Sequence, residues 1–208
     1  LILVHGAGSY GHIKAKKSRL SEGDIGLIGQ LEAVTEVRKD MLELNSLVMR
    51  DLEGEAYPPH LWAKETGPDF QGELPLSPPL TIVFGDVVDC ASNSWGILSG
   101  DDLVLRYAIE CNAARVVFAI RGVDGLLTAP PDEGGELIEE IHGRADYRGS
   151  HSEGIDVTGG ISLKVIRAEK IALSGIEVYF VNGENMNSVY NACSGKKAIG
   201  TKFLSRNA

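Results

Sequence analysis

The residues most able to do chemistry stand in a glycine-rich run. Leu1-Ile2-Leu3-Val4 reads as a short buried strand and leads directly into His5-Gly6-Ala7-Gly8-Ser9-Tyr10-Gly11-His12. Gly6 to Gly11 matches G-x-G-x-x-G after a strand, a turn that exposes backbone N–H groups at a helix N-terminus, where an anion is favoured. A dinucleotide site would need a second strand ending in Asp or Glu about 20 residues on, and an amphipathic helix occupies that region instead. A P-loop would need Lys and then Ser or Thr at positions 12 and 13, which hold His12 and Ile13. What remains is a phosphate-cradling turn with an imidazole at its far end. His12 can donate to a phosphoryl oxygen and adds charge when protonated. The plainer alternative is a tight βα turn bearing a surface histidine.

A second constellation is Asp156-Val157-Thr158-Gly159-Gly160 with Lys164. Gly159 and Gly160 let the backbone approach a ligand closely at a helix start. Lys164, one turn into that helix, can bend back over the same anion. Asp156 could orient a lysine or reach a metal. Read alone, this segment is an aspartate N-cap with a surface lysine. Paired with the first loop, it gives two anion sites on two helix N-termini, suited to a donor and an acceptor phosphate, and phosphoryl transfer is mainly positioning and charge stabilisation. A third segment, Gly122-Val123-Asp124-Gly125, follows a buried strand. It is either a ligand-facing strand end or a plain turn. Lys14, Lys16, Lys17 and Arg19 form a basic cluster that is either a solvated helix face or an anion-steering patch.

These residues need elements to hold them. A helix is expected over 13–20. Ile28, Leu31, Val34, Val37, Met41, Leu44, Leu47 and Val48 predict a long amphipathic helix with one apolar face. The proline-rich stretch 53–79 reads as loop. Further strands are expected at Leu80–Phe84, Val116–Ile120, Ile176–Val181 and Ala198–Leu204. Helices are expected from Ser99-Gly100-Asp101-Asp102, a capping box, to about Asn112, over Ile161–Leu173, and over Met186–Ala192. Residues 126–150 read as an excursion with a short hairpin or helix. Alternating strands and helices predict an α/β fold with a largely parallel sheet covered on both faces. The 53–79 segment divides an N-terminal lobe, about 1–79, from a C-terminal lobe, about 80–208, within a single domain.

Composition narrows the function classes. The chain has 208 residues, 43% of them apolar, and a formal charge of −9, which argues against non-specific nucleic-acid binding. No apolar run reaches 18 residues, so no membrane span is expected. Cys90, Cys111 and Cys193 are widely spaced and form no CxxC pair, so a reducing, cytoplasmic compartment is expected. The chain opens inside an apolar strand without a Met, and a missing upstream segment is the expectation.

Taken in order, the segments resemble the amino acid kinase family. His5 to His12 is similar to the glycine loop of its isopentenyl phosphate kinases, usually His-Gly-Gly-Gly-Ser-Phe-Gly-His. Gly85-Asp86-Val87-Val88, Ser99-Gly100-Asp101-Asp102, Val123-Asp124-Gly125, Asp156-Val157-Thr158-Gly159-Gly160 and the closing Gly200-Thr201 also match in order. The resemblance implies an open αβα sandwich, often a homodimer, in which ATP with Mg²⁺ phosphorylates isopentenyl phosphate. It implies that Gly6, Ala7, Gly8, Gly11 and His12 hold the acceptor phosphate. Asp124, Gly125, Gly159, Gly160 and Lys164 would then serve the nucleotide, with Asp156 as organiser. It also implies a Lys-x-Gly-Gly-Ser loop in a first βα unit, which would precede Leu1. Three positions depart from the pattern, with Ala7 for Gly, Gly122 for Asp, and Leu163 for the Gly before Lys164. A phosphonate kinase such as fosfomycin kinase shares the loop and its histidine. A non-catalytic nucleotide-binding regulatory domain and an NAD-binding domain are more distant readings.

Overall fold

The computed structural model describes residues 1–142 and 160–204. In chain order its elements are β1 (Ile2–His5), α1 (Gly8–Lys17), α2 (Gln30–Val48), β2 (Glu55–Ala56), β3 (Thr81–Phe84), β4 (Asp86–Cys90), β5 (Ser94–Leu98), α3 (Gly100–Glu110), β6 (Arg115–Ile120), β7 (Glu140–His142), α4 (Gly160–Leu173), β8 (Glu177–Asn182), α5 (Met186–Cys193) and β9 (Thr201–Leu204). The chain divides into two compact units between Arg106 and Tyr107, inside α3.

In the first unit β3 is the central strand, with β1 on one side and β2 on the other, both parallel to it. Parallel pairing puts the C-terminal ends of all three strands on one edge. Under the sheet, Phe84, Val87 and Trp95 pack with Val34, Val37 and Met41 of α2 and Ala15 of α1. Fully burying a Val- or Met-sized side chain contributes about 1.5–3 kcal/mol, so this cluster is what fixes α1 and α2 against the strands.

The predicted face of α2 is corrected at its N-terminal end. Ile28 and Leu31 are exposed where the helix starts at Gln30 behind Gly29, whose φ of 84° breaks the helical path; at the other end Leu47 is exposed too. Gln30 itself is buried and organises the preceding loop. Its amide donates to the carbonyls of Ser18 and Gly23, both at 3.1 Å, and its side-chain oxygen accepts from Ile25 N and Leu27 N. A second correction concerns α1, which begins at Gly8 rather than residue 13. The glycine run is therefore a two-residue turn followed at once by helix. A third is the antiparallel hairpin β4–β5, which the sequence reading left out.

The second unit holds a four-stranded sheet in the order β6-β8-β9-β7. The β6–β8 and β7–β9 pairs are parallel, but β9 runs antiparallel to β8. Phe118, Phe180 and Phe203 stack through its centre, with centroids 4.8 and 5.5 Å apart. Of the hairpin or helix expected within 126–150, a hairpin is present over 126–138, and residues 143–150 lie outside the described residues. Ile138 N donates to Leu126 O at 2.8 Å and Thr128 N to Glu136 O at 2.9 Å. Among the described residues no helix is long and apolar enough to cross a membrane.

Candidate functional site

The glycine turn sits where β1 ends, at the C-terminal edge of the first unit's parallel strands, the edge beyond which ligands sit in open α/β sheets. Its three glycines differ in what demands them. Gly8 has φ +49°, a conformation that side-chain-bearing residues rarely adopt, while a Cβ there would meet nothing within 4 Å. At Gly6 the backbone lies outside that region, and again a Cβ would meet nothing within 4 Å. Neither packing nor backbone conformation requires a glycine at position 6. Gly11 is buried inside α1, where a Cβ would lie 3.1 Å from Ala7 Cβ and 3.3 Å from Met41 Sδ. That glycine serves the close approach of α1 to α2.

The first turn of a helix leaves N–H groups without intrahelical partners. At α1 the N-cap Ala7 supplies no side-chain acceptor, and the first turn carries no acidic residue. The contrast is α5, whose N-cap Asn185 accepts from Asn187 N and Ser188 N at 3.1 and 3.2 Å. The α1 end thus keeps donors and a positive dipole end beside Gly6 and Gly8, where a Cβ would meet nothing within 4 Å. His12 is not at the far end of a loop, as the sequence suggested, but is the fifth residue of the helix. Residues four apart share a helix face and side chains lean toward the N-terminus, so His12 lies on the face of Gly8. It is half-buried.

In the second unit, α4 opens on Gly160 with φ +54°, and Lys164 again follows four residues later, half-buried. The same i, i+4 geometry recurs with a lysine for the histidine. Asp156 and Gly159 lie outside the described residues. Asp124 is exposed after β6 and accepts from Asn182 Nδ2, at the end of the adjacent β8, at 3.3 Å. Gly125 is buried, and a Cβ there would lie 2.6 Å from Thr201 Oγ1. Leu126 N donates to that hydroxyl at 2.7 Å, so the closing Gly200-Thr201 motif holds the Asp124 turn in place.

Two members of the basic cluster are paired with carboxylates of the chain itself. Lys14 pairs with Asp40 at 2.8 Å and Glu36 at 3.4 Å of α2, and Arg19 with Glu22 at 2.5 Å. Those carboxylates raise the Lys14 and Arg19 pKa values above their ordinary ones. Two features escaped the sequence reading. Asn182 has no motif of its own and emerges only from the parallel register with Ile120. His60, in the stretch read as loop, pairs with buried Asp86 at 2.6 Å. No spacing rule links positions 26 apart.

Mg²⁺ is implied by the chemistry of nucleotides. Among the described residues no three His, Cys, Asp or Glu converge to hold a metal ion. A magnesium ion that enters on substrate phosphates needs only one or two protein carboxylates.

Comparison with known proteins gives one consistent result. Residues 70–182 match the family model described as Amino acid kinase family. The isopentenyl phosphate kinase of Methanocaldococcus jannaschii is 28% identical over 94% of this chain and 78% of its own length. That of Methanothermobacter thermautotrophicus is 25% identical over 99% of this chain and 85% of its own length. A solved isopentenyl phosphate kinase superposes with TM-score 0.78 at 21% identity, covering 98% of this chain and 84% of that one. That likeness shows the amino acid kinase fold, an open αβα sandwich.

Proposed function

The chain belongs to the amino acid kinase family, and on that premise we propose that this kinase transfers the γ-phosphoryl group of ATP to isopentenyl phosphate, giving isopentenyl diphosphate. The observation that carries the reading is the Gly6-Ala7-Gly8 turn. It combines an uncapped helix N-terminus, an open glycine surface that packing does not explain, and an imidazole on the same helix face. The kinship of the curated relatives supports the choice of acceptor.

In this reading the N-terminal lobe, about 1–79, binds the acceptor. The N–H groups of Gly6, Ala7 and Gly8 hold its phosphate, and His12 donates to one of its oxygens. Within the C-terminal lobe, about 80–208, the part from Tyr107 onward binds the nucleotide. Gly159 and Gly160 bring backbone N–H groups to the ATP phosphates, Lys164 neutralises charge on the transferring group, and Asp156 orients the lysine. Asp124 and Gly125 line the nucleotide side. An acceptor phosphate oxygen forms the new P–O bond as the β–γ bridging P–O bond breaks and ADP leaves. Nothing is oxidised or reduced. When bound with ATP, Mg²⁺ supplies charge neutralisation between the phosphates.

A coupled ADP-release assay on the full-length gene product tests the reading. Isopentenyl phosphate, dimethylallyl phosphate and fosfomycin serve as acceptors. Turnover should be fastest with isopentenyl phosphate. No turnover with any of the three overturns the proposal, and preference for fosfomycin would move the chain to the phosphonate kinases.

A further inference from the structure

His60 follows β2, and its ring is fixed by Asp86, which follows β3. Nδ1 approaches Asp86 Oδ2 at 2.6 Å, and the His60 backbone N–H donates to the same oxygen at 3.4 Å. Asp86 is fully buried, and its other oxygen accepts from Val87 N at 2.8 Å. A buried carboxylate needs such donors. With Nδ1 held by the carboxylate, Nε2 is the nitrogen left to face a ligand. Among the described residues it has no hydrogen-bond partner, and the side chain remains 15% exposed.

The topology says which way that ligand would come. β1 and β2 flank β3 and run parallel to it, so the glycine turn after β1 and His60 after β2 belong to the same strand-end edge. At about 4.8 Å per strand spacing the two strand ends stand roughly 10 Å apart. Gly85 and Gly100 lie at this edge. A Cβ on Gly85 would lie 3.2 Å from Gly100 N, and one on Gly100 would lie 3.6 Å from His5 O. These two glycines bring the start of α3 against the ends of β1 and β3. No side chain of Gly85 or Gly100 stands between the turn and the imidazole.

The geometry points to His60 as a second imidazole contact for the acceptor's phosphate, positioned by Asp86 and opposite the Gly6–Gly8 turn. This rests on the reading that the turn holds a phosphate. With both ring nitrogens protonated, Nε2–H donates to a phosphate oxygen while Nδ1–H donates to Asp86. Asp86 is a positioning residue and touches no substrate.

Calorimetric titration of the full-length gene product, without ATP, tests the assignment. Isopentenyl phosphate and inorganic phosphate are the two ligands, with thermal unfolding as a control. His60→Gln keeps a donor near the Nε2 position. His60→Asn keeps one near Nδ1, satisfying Asp86 but falling short of the ligand. His60→Ala keeps neither. A charge-assisted hydrogen bond lost on truncation should raise the Kd of isopentenyl phosphate about tenfold or more in the Ala variant. The Asn variant should unfold like the wild type yet bind as weakly as Ala, while Gln recovers part of the affinity. Should Ala not fold, the Asn–Gln comparison reads the same difference. Unchanged binding in Asn, or equal recovery by Asn and Gln, assigns His60 a purely structural role and overturns the inference. Wild-type protein that binds neither ligand overturns the phosphate reading of the turn, and this inference with it.

Discussion

Replacing the glycines of the first turn one at a time by alanine separates a ligand site from a merely tight turn. At Gly6 the added methyl meets no protein atom within 4 Å and the backbone is not left-handed. Gly6→Ala should therefore leave stability unchanged or raise it by about 0.4–1 kcal/mol through the unfolded chain. If the N–H groups there hold a phosphate, the methyl occupies the space of the ligand. The acceptor KM should then rise about tenfold or more, for the loss of one charge-assisted contact. At Gly8 the φ of +49° costs a Cβ-bearing residue about 1–2 kcal/mol, so Gly8→Ala should lower stability and weaken the acceptor together. At Gly11 the methyl would press on Ala7 and Met41. Overpacking costs about 1–3 kcal/mol, offset by the roughly 1 kcal/mol better helix propensity of alanine. Gly11→Ala should thus be neutral to about 2 kcal/mol destabilised. Urea unfolding gives the first quantity, and steady-state kinetics with acceptor and ATP varied in turn gives the second. A stable Gly6→Ala protein with an unchanged acceptor KM would refute the reasoning, because the open glycine would then face nothing.

Three further outcomes are expected. His12→Ala should raise the acceptor KM about tenfold or more with little change in the ATP KM, and His12→Gln should recover part of it. An effect confined to the ATP KM would mean that the two anion sites are exchanged. Lys164→Ala should lower kcat by roughly 10² or more, as for other charge stabilisers aimed at a transition state, and an unchanged kcat returns Lys164 to a structural role. Cys193 is exposed, whereas Cys90 is buried and burial pushes its thiol pKa up. Native-state labelling with a thiol reagent should therefore modify Cys193 readily and Cys90 only on unfolding, with peptide mass mapping as the readout.

The strands and helices that position the two glycine turns were legible because each carries a local signal. The apolar run before Gly6, the capping serine at Ser99, whose Oγ accepts from Asp101 N at 3.1 Å, and Gly160 at the start of α4 are all short-range features. The early start of α1 was hidden because Gly8 and Gly11 are poor helix formers. Only the packing of α1 on Val37 and Met41 shows why the helix passes through them. Exposed Ile28 and Leu31 kept the helical spacing of their neighbours yet precede or open α2 at a point where the periodicity has no partner to pack on. The β4–β5 hairpin turns through residues 91–93 and enters β5 at Ser94 with φ 64°, a conformation uncommon for serine; Ser92 and Asn93 are turn formers, but no glycine marked the tight connection. The His60–Asp86 and Asp124–Asn182 pairs join residues brought together by parallel strand ends. Side-chain pairing across such an edge leaves no periodic trace in the chain.

In the proposed reaction a phosphate oxygen, not a carboxylate or an alcohol, accepts the phosphoryl group. Phosphorus NMR of full-length protein incubated with ATP, Mg²⁺ and isopentenyl phosphate tests it directly. The monophosphate resonance should be replaced by the two coupled doublets of a diphosphate ester, in step with ADP. Consumption of ATP with release of inorganic phosphate and an unaltered isopentenyl phosphate resonance would contradict it.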